Sequence, residues 1–165
     1  MRQIIKIDIL ENYKLLFFFS DGLMVVFDVE PLLQYNLYAS IRDYDVFKKV
    51  KFDGEHVYWN EVADLHVSQV LLRGYIVPEI SRFYGLIISL YYGDTEYRHK
   101  PHIHVRYGDD NASFSIDDAE MLAGKLPLRQ TRLIQAWIEL HRDDILEDWD
   151  LIQNGKDYFT IAPLK

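Results

Sequence analysis

Two histidines one residue apart, in Pro101-His102-Ile103-His104-Val105-Arg106, lie in the stretch of this chain where side chains suited to chemistry are most concentrated. Arg98, His99 and Lys100 precede them, Arg82 lies upstream in Ile80-Ser81-Arg82-Phe83-Tyr84-Gly85, and the acids between Arg82 and Arg106 are Asp94 and Glu96. Imidazoles titrate near neutral pH, so a pair can give and take a proton within one reaction. With arginines to hold developing negative charge, the set His102, His104, Arg82, Arg98 and Arg106 suits phosphodiester cleavage. A variant makes the two histidines ligands of one metal ion, since positions i and i+2 of a strand bring their rings close together. Both readings need a third partner. Asp94 and Glu96 fall in a loop and no further ligand has a diagnostic spacing, so neither a metal nor a cofactor is expected. On a third reading the histidines lie at a surface or interface and hydrogen-bond the backbone or a partner domain.

In a strand the side chains alternate, which puts His102, His104 and Arg106 on one face and Ile103, Val105 and Tyr107 on the other. The apolar face is the one expected to be buried, so the histidines and Arg106 point to solvent or into a cleft. An open cleft beside arginines favours cleavage. Burial against residues 1–72 or another chain favours an interaction surface or an inhibited enzyme. His141 is expected to be a half-buried packing residue on the side opposite His102. Tyr91 and Tyr92 read as one core ring and one surface ring of a strand, or as a proton relay and a stacking platform. Trp59 and Trp149 read as core or interface residues, and the acidic run 143–150 as a solvated helix face.

Several elements must position these residues. Residues 5–9 and 13–19 read as strands, Ser20-Asp21-Gly22 as a tight turn, and 23–29 as the returning strand. Pro31 marks a helix start, Asp43 caps a short helix through Val50, and residues 51–54 and 57–59 suggest a hairpin. Arg73-Gly74 to Pro78 breaks the pattern and is expected to separate two domains, residues 1–73 and 78–165. Beyond it come strands at 80–83, 86–92, 102–107 and 112–117. From Pro127 the period becomes helical, with an apolar stripe of Leu133, Ile134, Trp137, Ile138 and Leu140. A second helical piece over 144–152 ends at Asn154-Gly155, and Phe159 to Ile161 is expected to add an edge strand. The fold class expected is α+β, two small domains, each an antiparallel sheet packed by helices.

Composition narrows the function. The 165 residues are 49% hydrophobic and 15% aromatic, which is ample material for a core. There is no cysteine, which excludes disulfides and thiolate metal sites. No apolar run of about 18 residues exists and the N-terminus has no signal-peptide core, so a cytoplasmic protein without a membrane partner is expected. The net charge of −8 opposes a phosphate backbone, leaving only a local patch to meet RNA.

Residues 80–152 closely resemble a bacterial family catalogued as domain of unknown function 4160. Its ordered motifs correspond here to Ile80-Ser81-Arg82-Phe83 with Gly85, the strand Leu86 to Tyr92, Pro101-His102-Ile103-His104, Gly124 to Pro127, and Trp137 with His141. Residues 3–72 more loosely resemble domain of unknown function 2442, through Tyr13, Leu15, Phe19, Asp21, Gly22, Asp28, Pro31, Leu32, Leu33 and Trp59. The two families are typically neighbouring bacterial genes that look like toxin and antitoxin. The resemblance therefore implies a fusion of an antitoxin-like first domain with a toxin-like second domain, joined near Pro78, whose products touch. Some relatives of the first domain run on into a DNA-binding helix-turn-helix, which this chain replaces with the second domain. The expected function is a toxin-antitoxin-like fusion whose second domain cleaves or binds RNA through its paired histidines. The alternative is a non-catalytic interaction or self-associating regulatory module. Contact between the two domains is the partner implied, with RNA and a second copy of the chain left open.

Overall fold

In this computed structural model, residues 2–94 and 96–165 are described. They divide into two compact units, Met1–Ile76 and Val77–Lys165. Both combine antiparallel sheets with helices, so the fold class is α+β.

In the first unit, alternating and apolar segments form β1 (Ile4–Leu10), β2 (Lys14–Phe19) and β3 (Met24–Asp28), paired antiparallel. The β2–β3 turn needs Gly22, whose φ is +88°, and the Asp21 carboxylate accepts from the Leu23 amide at 3.2 Å. Pro31 opens a 3-10 turn, Glu30–Gln34, followed by another, Asn36–Arg42. Asp43 then caps α1 (Tyr44–Phe47) by accepting from the Asp45 amide.

The single antiparallel sheet expected for this unit is in fact two sheets among the described residues. β4 (Lys51–Phe52), β5 (His56–Tyr58) and β6 (Asp64–His66) form the second, and α2 (Val67–Arg73) follows with His66 at its N-cap. β7 (Tyr75–Ile76) adds to β3, inside the segment where no pattern was legible. Strands of two or three residues are too short to show a period. Phe17, Phe19, Ile41, Phe47, Val57 and Leu65 anchor this unit's core.

The second unit is one five-stranded sheet, β8 (Glu79–Phe83), β9 (Leu86–Ser89), β10 (His102–Tyr107), β11 (Asp110–Ser115) and β12 (Met121–Gly124), in spatial order β12-β11-β10-β9-β8. No pattern in the sequence announces β12. It requires a glycine at 124, where φ is +83° and a Cβ would run into the Asn111 carbonyl. The helical region is α3 (Leu128–Gln153), interrupted where His141 leaves helical geometry at φ −123°.

Ile134, Trp137 and Ile138 are fully buried with Ile103, Val105 and Phe114 in one core. Leu140 does not belong to that stripe and is 70% exposed. At 100° per residue it falls roughly 110° from the centre of the buried arc.

The acidic run also needs correction, because Asp148 shares the arc of Ile145, Trp149 and Ile152 and is fully buried. Nor do residues 159–161 form a strand. The tail is held instead by Ile161 N–H to the Ile80 carbonyl at 2.7 Å, Ser81 Oγ to the Ile161 carbonyl at 2.9 Å, and Phe159 N–H to Asp148 Oδ1 at 3.0 Å. Among the described residues no helix is long and apolar enough to cross a membrane.

Asp148 yields a test. Burial raises its pKa, against the Phe159 hydrogen bond, with Glu147 and Asp144 adding repulsion, and among the described residues its Oδ2 has no hydrogen-bond partner. An acid whose folded-state pKa is raised favours the folded state while protonated and loses that advantage as pH rises above its unfolded value of about 3.9. Asp148→Asn keeps the acceptor for Phe159 and removes the charge. It should raise stability at pH 7 by about 1 kcal/mol in urea unfolding, a gain that vanishes by about pH 3.5. An equal or lower urea midpoint at pH 7 would contradict this.

Candidate functional site

β10 lies between β9 and β11, and the register decides what faces the histidines. His102 pairs with Ser115, His104 with Ser113 and Ser89, and Arg106 with Asn111 and Ile87. Residues paired across a sheet share a face, so the imidazoles meet small hydroxyl side chains that leave room for their rings. Ile103 and Val105 are buried on the other face, as alternation requires.

The histidine face is nevertheless neither solvent-facing nor an open cleft. His102 has a side-chain exposure of 0% and His104 of 13%. Tyr91 stacks on His104, with centroids 3.7 Å apart and planes 7° apart. Tyr97 meets the His102 ring edge-on at 4.8 Å, and Trp149 lies 5.2 Å from it. Tyr91 and Tyr92 follow β9 rather than belonging to it. His141, 22% exposed, packs at 5.6 Å from Trp137.

At the centre stands Asp94, one of the two acids that the sequence placed in a loop. Its Oδ2 lies 2.8 Å from His102 Nε2 and 2.8 Å from His104 Nε2. This is the third partner that the two-histidine pattern lacked. Its position is fixed from several sides. Gln153, the last residue of α3, donates from Nε2 to the Tyr91 carbonyl at 2.9 Å and accepts from the Asp94 amide at 3.1 Å. Asp94 Oδ1 accepts from the Glu96 amide at 3.1 Å. Tyr97, Arg98 and His99 then take left-handed φ values of 54°, 57° and 63°, each costing about 1 kcal/mol for a residue with a Cβ. Atoms of Asp94, Glu96, His102 and His104 able to ligate an ion all lie within 4.8 Å of one another.

Hydrogen bonding sets the tautomer of His102. Its Nδ1 lies 2.7 Å from the Lys100 carbonyl oxygen and so donates its proton there. In the neutral ring Nε2 is then unprotonated 2.8 Å from a carboxylate oxygen, off the direction a hydrogen bond needs, and among the described residues this buried atom has no hydrogen-bond partner. His104 differs, with Nε2 hydrogen-bonded to Asp94 and Nδ1 3.4 Å from Ser113 Oγ.

The electrostatics follow from this packing. Burial opposes ionisation of Asp94, but the two imidazoles outweigh it and hold its pKa well below the usual carboxylate range. Burial likewise works against the His102 imidazolium, and the carboxylate outweighs it, so its pKa is raised. For His104 burial dominates and the pKa falls.

The arginines do not assemble around this centre. Arg82 sits on β8, 61% exposed, bound through two nitrogens to Glu79 at 2.7 and 2.9 Å. Arg106 is on the histidine face but one step along the strand, with Ile87 between it and Arg82. Arg98 is exposed in the left-handed turn.

Residues 85–150 match the family model Domain of unknown function (DUF4160). The match covers β9 to β12 and most of α3, and so contains all four members of the acid–imidazole cluster. No curated protein and no solved structure matches the chain.

The residues the sequence did not single out are Asp94 as the central acid, Gln153 as its clamp, and Trp149 as a wall. One signal was available. Ser113 and Ser115 alternate with Ala112, Phe114 and Ile116, so a second strand with a polar face beside β10 was legible. Nothing local to Trp149 or Gln153 tells that they come to rest there.

Proposed function

We propose that residues 77–165 act by binding another polypeptide and not by cleaving RNA. The observation that carries this reading is the burial of His102, 0% exposed beneath Tyr97 and Trp149. General acid–base catalysis on a phosphodiester needs both imidazoles within hydrogen-bond reach of the reacting oxygens. Here one is sealed, the other is capped by Tyr91, and Arg82 is engaged elsewhere by Glu79. The net charge of −8 also disfavours a polyanion. The two-part, toxin-antitoxin-like origin of the chain belongs to the same reading and rests on resemblance alone.

Cleavage is the second reading, favoured by one observation. Asp94 holds His104 by Nε2 and leaves Nδ1 toward Ser113 Oγ, an arrangement in which a carboxylate orients a general base. Incubation of the purified full chain with single-stranded and hairpin RNA decides between the two. The expected result is no cleavage above buffer, together with unchanged bacterial growth when residues 77–165 are expressed. RNA cleavage that His104→Ala abolishes would establish the second reading instead.

A further inference from the structure

We propose that Asp94, Glu96, His102 and His104 bind a divalent transition-metal ion of the zinc class. This goes beyond the interaction reading and does not depend on it.

The decisive atom is His102 Nε2. It is fully buried, its tautomer is fixed by the Lys100 carbonyl, and it lies 2.8 Å from Asp94 Oδ2 without the direction a hydrogen bond needs. Two buried electron-pair donors 2.8 Å apart repel unless a cation lies between or beside them. A proton on Nε2 is one solution and a metal ion is the other. The second is favoured by the further donors that converge on the same point, His104 Nε2 and a Glu96 carboxylate oxygen, all within 4.8 Å. Two ligands about 2.0 to 2.1 Å from a tetrahedral ion stand about 3.3 Å apart, so Oδ2 and the two Nε2 atoms need to spread by about half an ångström.

The surroundings are those of a ligand shell. Metal-binding histidines characteristically donate their other ring nitrogen to a carbonyl or carboxylate, as His102 does to Lys100. The ligating carboxylate is itself held, through the Glu96 amide on Oδ1 and the Gln153 clamp on its backbone. Two imidazoles and two carboxylates suit zinc, cobalt or nickel, whereas calcium and magnesium prefer oxygen alone. The two carboxylates would also neutralise a divalent charge in a site nearly shut off from water. Four protein ligands with little access describe a structural ion, one that ties Asp94 and Glu96 to β10, rather than a catalytic one with an open position.

Another histidine pair supplies the control. His56 and His66 lie across β5 and β6 with ring centroids 5.0 Å apart, but both are partly or fully exposed, and His66 Nδ1 is used to cap α2.

The test is titration of the chelator-stripped full chain with Co²⁺, followed by displacement with Zn²⁺. The expected result is one equivalent of cobalt with visible d–d absorption, lost on adding zinc, and a melting temperature raised by several degrees with zinc present. His104→Ala should weaken binding at least about tenfold, and Glu96→Gln, a change in a partly exposed turn that spares the core, should do likewise. His56→Ala with His66→Ala should leave it unchanged. Absence of both the cobalt spectrum and the thermal shift in the wild type overturns the proposal. So does binding that survives His104→Ala and Glu96→Gln but is lost with His56 and His66.

Discussion

Replacing Asp94 by alanine should destabilise the second unit by about 3 to 5 kcal/mol, the range for removing one partner of a buried ion pair. The side chain is 3% exposed, and its Oδ2 is 2.8 Å from the Nε2 of both imidazoles. Without it His102 stays buried with no counter-charge, and the turn at Tyr97, Arg98 and His99 loses the Asp94 Oδ1 to Glu96 amide bond that helps hold its left-handed backbone. Because domains are stable by only about 5 to 15 kcal/mol, such a loss brings the unit near unfolding at 37 °C. Urea unfolding in a Trp59→Phe background isolates the effect, since Trp137 and Trp149 then report on residues 77–165 alone. A loss below about 1 kcal/mol, the value of a surface pair, would show that Asp94 is solvated in solution.

A comparable effect is expected at Trp137, the largest fully buried side chain of the protein. It packs at 5.6 Å from Phe83 and donates from Nε1 to the Ala162 carbonyl at 2.9 Å, so one residue ties α3, β8 and the C-terminal tail together. Trp137→Ala should cost about 3 to 5 kcal/mol, from the lost transfer energy, the cavity left behind and the orphaned carbonyl. The tail should loosen as well, with faster amide exchange at Ile161, whose N–H bonds the Ile80 carbonyl. Trp137→Phe, which keeps most of the volume but not the hydrogen bond, should lose less than half as much. Equal stability of the alanine variant and the wild type, measured by the same urea titration, would remove Trp137 from the core.

What was legible in the sequence divides along physical lines. The alternation of His102, Ile103, His104 and Val105 follows from strand geometry and holds in the structure. The Asp21-Gly22 turn and the Asp43 cap were equally local, each needing only a residue type and its neighbours.

The conclusion that the histidine face meets solvent failed because alternation says which side chains share a face and not what covers it. The covering groups, Tyr97 and Trp149, are brought there by a strained turn and by the far end of α3. The role of Asp94 is illegible in the sequence for a related reason. A loop acid becomes a buried charge only when something clamps the loop, and that clamp is Gln153, 59 residues further along the chain. Asp148 was the exception. Its spacing from Ile145, Trp149 and Ile152 already placed it on the buried arc, and its charge masked a period that could have been read.

His102 and His104 form an internal acid–imidazole centre with Asp94. The most direct test is the reactivity of each histidine toward diethyl pyrocarbonate in the native full chain, read by peptide mass spectrometry. His66 and His99 are exposed and should react first, along with His56 at 44% side-chain exposure. His102 should react at least about tenfold more slowly, and His104 more slowly than any exposed histidine, until urea unfolds the protein. Modification of His102 and His104 at the rate of His99 under native conditions would contradict the account and return the histidine strand to the surface.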